Sequence, residues 1–136
     1  MNIIQAYIEK LITLYGDEIV YENIHYDEET LQQIPEVLRP LYREVSKLSM
    51  PFGEIDCLET ALKNSKAEPF LSEQWFCFGS DDYFSFWLCR YTPDDDGFSI
   101  TYWDHDSGSE IDDAIYMNII DFLEDMRNEY EEDKNE

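Results

Sequence analysis

The chain has 136 residues, of which 32 are Asp or Glu and nine are Lys or Arg, giving a formal charge of −23, yet 43% are hydrophobic and 15% aromatic. Such acidity argues against a partner that is nucleic acid or an anionic membrane surface, since both repel a polyanion. Ten tyrosines, eight phenylalanines and three tryptophans argue as strongly against disorder, because they supply the apolar area that offsets the entropy of ordering.

A single domain over residues 1–136 is expected at this length, burying roughly two-thirds of the surface that the unfolded chain exposes. The amino-terminal run MNIIQAYIEK has no basic region ahead of its apolar residues, and no run approaches the ~20 apolar residues of a membrane span, so a cytoplasmic protein is expected. Residues Ile3, Ile4, Tyr7, Ile8, Leu11, Ile12 and Tyr15 recur at helical spacing and Gly16 follows, which predicts an amphipathic helix stopped by a left-handed residue. The stretch DEIVYENIHYDEET carries no clear period. In LQQIPEVLRPLYREVSKLS the Pro40 ring would clash with the Glu36 carbonyl inside one unbroken helix, so a short helical turn near Pro35 and a second helix starting near Pro40 are expected.

MPFGEIDCLET reads as a turn, a short strand and a helix through Leu62. Then EQWFCFG, YFSFWLCRY and FSITYWD form short aromatic runs separated by GSDD and TPDDDG, the pattern of strands joined by turns. The middle run is apolar on both faces, which places Trp87 and Tyr91 in a core. In the last, Phe98, Ile100 and Tyr102 alternate with Ser99, Thr101 and Trp103, as for a strand with one drier face. EIDDAIYMN reads as a further strand. Asn118 can then cap a closing helix whose apolar face is Ile119, Phe122, Leu123, Met126 and Tyr130, with an acidic end over about 124–136. Together these elements predict an α+β domain: an antiparallel sheet of about four to six strands in the middle of the chain, packed by amino-terminal helices and a carboxy-terminal helix.

The ordered series IPEVLRPLY, MPFGEIDCLE, WFCFGSDDYFSFWLCRY, ITYWDHDSG and NIIDFLEDM resembles the SUKH superfamily, which includes yeast cell-wall assembly regulators and bacterial immunity proteins. The matching motifs fall at Ile34 and Pro35, Leu41 and Tyr42, Pro51 to Gly53, Phe78 to Asp81, Trp103 to His105, and Ile119 to Leu123. KLSM stands where an Asn-Gly-Gly turn is frequent, and Ile119 where an aromatic is usual. The resemblance implies a non-catalytic SUKH-like domain that needs no cofactor. Its bacterial branch implies an immunity protein that neutralises a cognate polymorphic toxin, many of which are nucleases, and its other branch implies a regulatory or scaffolding module. The charge agrees with the first, because a nuclease cleft grips phosphates with Lys and Arg and therefore suits a polyanionic inhibitor.

Two acidic segments are the candidate contact sites. Asp94, Asp95 and Asp96 precede Gly97 at a hairpin, as a clamp for Lys or Arg or simply as a solvated turn. Asp104, Asp106, Glu110, Asp112 and Asp113 crowd ten residues beside Trp103, the most open of the candidate aromatic anchors Trp75, Tyr83, Trp87, Tyr91, Tyr102 and Trp103. An EF-hand loop begun at Asp104 would need Gly at Ser109 and Glu at Ile115, so no metal site is expected. Cys57, Cys77 and Cys89 are odd in number, lack Cys-x-x-Cys spacing and lie among apolar residues, as buried thiols do. His25 and His105 neighbour none of them, and no catalytic set can be assembled. The carboxyl-terminal acids serve either as a solvated helix end or as a contact element.

Overall fold

The computed structural model describes residues 2–81, 85–104 and 110–135. Helix α1 (Ile3–Tyr15) starts at a capping box: the Asn2 side chain accepts from the Gln5 backbone N–H, and Gln5 Oε1 accepts from the Asn2 N–H. It stops at Gly16, whose φ of 58° favours a residue with no Cβ. The unassigned stretch that follows holds strand β1 (Val20–Glu22) and a one-turn helix α2 (Glu28–Leu31), capped by the Asp27 carboxylate on the Thr30 N–H. The two prolines act as expected. A 3-10 turn covers Glu36–Leu38, and α3 (Arg39–Glu44) carries Pro40 in its first turn.

Strands β2 (Lys47–Met50) and β3 (Gly53–Ile55) precede α4 (Leu58–Asn64) and the one-turn α5 (Phe70–Glu73). Strands β4 (Trp75–Ser80), β5 (Ser85–Arg90) and β6 (Ile100–Asp104) follow, and α6 (Ile119–Lys134) closes the chain. The six strands form one antiparallel meander in the order β1-β2-β3-β4-β5-β6. This is the α+β architecture expected from the sequence, at the upper end of its strand count.

Alternation sorts the strand side chains to two faces. Phe76, Phe78, Trp87, Cys89 and Ile100 face a large core shared with α1, α3 and α6, where Leu11, Leu38 and Phe122 are wholly buried. Trp75, Cys77 and Leu88 face a smaller cluster closed by Phe70 of α5 and by Ala114, with Phe86, Phe98, Trp103 and Ile111 against it. The Arg90 guanidinium lies 4.2 Å from the Trp75 ring centroid and roofs this cluster. Trp87 sits at the centre of the large core. Its indole fills the space above Gly53 and Gly79: a Cβ built on Gly53 would meet the ring at 2.4 Å, and one on Gly79 would meet the Glu54 carbonyl oxygen at 2.2 Å. The β4–β5 register shifts between Cys77 and Gly79, so Gly79 rather than Phe78 lies opposite Trp87.

Four expectations are corrected. Residues 110–118 do not form a strand; Tyr116 alone makes a bridge, to Ile100. The reason is spatial, since Ile111 and Ala114 pack on the smaller cluster while Tyr116 packs on the large core, so the segment rounds the sheet edge instead of running along it. Tyr91 is not core but 42% exposed, because β5 ends at Arg90 and the chain leaves the sheet there. Ser99, just before β6, and Thr101 on it are buried as Ile100 is, while Tyr102 is 37% exposed, so the strand has no single dry face, because the smaller cluster covers the other side of the sheet. Cys57 is only half-buried, because it is the N-cap of α4, whereas Cys77 and Cys89 are buried as expected.

Candidate functional site

Helix α6 begins where Asn118 accepts from the Asp121 backbone N–H, and it buries Ile119, Phe122, Leu123 and Met126. At 3.6 residues per turn its polar residues divide into two flanks beside that stripe. One flank faces α1 and is neutralised. Glu124 accepts from Lys10 Nζ at 2.6 Å and from Arg127 Nη2 at 2.8 Å, and Glu131 accepts from the Tyr15 hydroxyl at 2.7 Å. Burial pushes the Glu124 carboxyl up, but these cations win and hold it below the usual carboxylate range.

The other flank carries Asp121, Asp125, Glu129 and Asp133, four carboxylates at successive i,i+4 positions. Among the described residues neither Asp125 nor Glu129 forms an ion pair. The Glu129 carboxyl is pushed up by partial burial and by Asp125, Asp133, Asp81 and Glu132, all carboxylates. Two tyrosines complete the face. Burial, then Glu129, Asp112, Asp125 and Asp81, pushes up the Tyr102 hydroxyl; burial, then Asp125, pushes up that of Tyr116. Strand β6, the bridge at Tyr116 and α6 thus place four carboxylates, Asp81, Asp112, Asp125 and Glu129, around two tyrosines.

The residues singled out from the sequence are only partly assembled here. Asp112 joins this face. Glu110 and Asp113 are exposed on the same segment. Trp103 belongs to the opposite side of the sheet, edge-on to Phe70 at 5.6 Å and stacked on Phe86 at 6.1 Å. Asp104, half-buried, pairs with Ser85 across β5 and β6. Asp106, His105 and Tyr83 lie outside the described residues.

In the β5–β6 connection the Asp94 carboxylate is engaged by its own turn, accepting from the Asp96 N–H at 3.0 Å and the Phe98 N–H at 2.9 Å. Gly97, with φ of 91°, completes that turn. Asp95 and Asp96 remain exposed. In the sequence the Asp125–Glu129 flank is only a four-residue acid spacing within the acidic tail, and its packing beside Tyr102 and Tyr116 is what sets it apart.

Among the described residues the thiols and the one described histidine, His25, lie apart. Burial pushes the Cys77 and Cys89 thiols up to about 12, which leaves them protonated and unreactive. Cys57 contacts the Thr60 hydroxyl, and His25 is exposed on a loop. Among the described residues no three His, Cys, Asp or Glu side chains converge to hold a metal ion, and no helix is long and apolar enough to cross a membrane.

Comparison with protein-family models, with curated proteins and with solved structures gave no match. The resemblance to the SUKH superfamily therefore rests on the order of its motifs along the chain.

Proposed function

We propose that this protein is an immunity protein of the SUKH type, which binds a basic toxin domain and blocks it without chemistry of its own. The observation that carries this reading is the unneutralised flank of α6. Like charges at i,i+4 destabilise a helix, and the neighbouring flank shows that this protein does place Lys10 and Arg127 where they neutralise an acid. Asp125 and Glu129, with no ion pair among the described residues and set beside half-exposed tyrosines, suit a surface whose cations arrive with a partner. Tyrosine adds apolar area and a hydroxyl at small entropic cost, which is why it recurs at binding hot spots. A field of this sign raises association rates towards about 10⁸–10⁹ M⁻¹s⁻¹ at low salt, an advantage against a toxin that acts catalytically.

Co-expression tests the proposal. The chain is produced together with the product of the open reading frame beside its gene, and growth is followed. Rescue by the unaltered chain, and its loss in a folded Asp125→Lys/Glu129→Lys variant, are the expected results. Growth arrest despite abundant unaltered protein contradicts the reading.

A further inference from the structure

An open groove of about 560 Å³ lies at the head of α6. Its floor is apolar, made by Ile3 and Ile4 of α1, Val37, Pro40, Pro93 and Ile120, and its charged lining residues are both carboxylates, Glu36 and Asp121. Ile3 is 71% exposed there. Asp121 is also the first acid of the α6 flank, so groove and flank are continuous. Pro93 leads into the Asp94–Gly97 turn, and Met117, half-exposed, approaches Gly97 closely enough that a Cβ there would meet it at 3.0 Å.

We propose that this groove seats the apolar face of an amphipathic basic helix on the partner, whose Lys or Arg residues then lie along Asp121, Asp125 and Glu129. The inference rests on the reading above and adds to it where the partner docks and what it must present. The acidic flank beside the groove is long enough for such a helix: the three intervals from Asp121 to Asp133 span about 18 Å, or about three turns. A small ligand is a poorer fit, since such sites fix their ligands with a few convergent polar groups, whereas here Glu36, Asn118 and Asp121 are all exposed. A second copy of this chain is disfavoured by its own charge of −23.

A synthetic amphipathic helix of leucine and lysine, and an oligolysine of equal charge, serve as probes, titrated into isotopically labelled protein at about 20 mM salt while backbone amide shifts are followed. The expected result is that the amphipathic peptide moves the amides of Ile3, Val37 and Ile120 and binds more tightly than oligolysine. Ile3→Gln is expected to weaken it about tenfold without changing the salt dependence. Glu129→Gln is expected to weaken both probes and to lessen the salt dependence. If both probes bind equally and shift only residues 121–133, or if Ile3→Gln is silent, the groove assignment is overturned while the basic-partner reading stands. If neither peptide binds, both are overturned.

Discussion

Trp87 is the residue around which the sheet is built, and two glycines make room for it. At Gly79 an added methyl would meet the Glu54 carbonyl, a backbone atom that cannot swing aside. Gly79→Ala is therefore expected to cost about 2 kcal/mol or more, read as a lower urea midpoint. Asp56 offers a second residue-scale test. Burial, then Glu54, pushes its carboxyl up to about 6 against an opposing pull from Lys47. A carboxyl whose folded pKa is raised stabilises the fold below its unfolded pKa, and that contribution is lost as pH rises through the folded value. Asp56→Asn is thus expected to be more stable than the unaltered chain at pH 7, by about 1 kcal/mol after allowance for solvent screening. The gain should shrink between pH 6 and pH 4, which unfolding curves at several pH values would show.

Helix α6 shows how far an element can be read from sequence and where reading stops. Its cap at Asn118, apolar stripe and start follow from local pattern, as do α1 and the aromatic strands β4 to β6, because alternation and helical period are properties of neighbouring residues. Strands β1 and β2 were less legible. Val20–Glu22 is exposed throughout and gains its place only by pairing with Ser49, Leu48 and Lys47. Residues 110–118 have a strand's composition but round the sheet edge, which no local pattern encodes. In the same way, the acids of α6 are visible in sequence, but only packing decides that Glu124 meets Lys10 while Asp125 faces Tyr116 and other carboxylates. Removing those like charges should relieve the helix: Asp125→Asn/Glu129→Gln is expected to raise stability by about 0.5–1 kcal/mol at low salt. The gain should fade near 1 M salt, as seen by thermal or urea unfolding. The same variant should weaken partner binding, and such opposed effects mark charges kept for a contact rather than for the fold.

Across the whole molecule two packed faces free the sheet from dependence on a uniform surface, and the surface carries the charge. A net charge of −23 on 136 residues repels itself in the compact state, so added salt is expected to raise the melting temperature until specific pairs such as Lys10–Glu124 are also screened. Mild acidification should act in the same direction through Glu129, whose raised carboxyl favours the fold at lower pH and loses that contribution as pH rises. The most direct measurement is the association rate with the basic toxin domain proposed as the partner, by stopped flow across a salt series, for the unaltered chain and for Asp125→Asn/Glu129→Gln. Attraction through the α6 and β6 face requires a rate that falls steeply with salt, and a double variant that is slower at low salt but converges with the unaltered chain at high salt. A rate indifferent to salt, or a variant indistinguishable from the unaltered chain throughout, would contradict it.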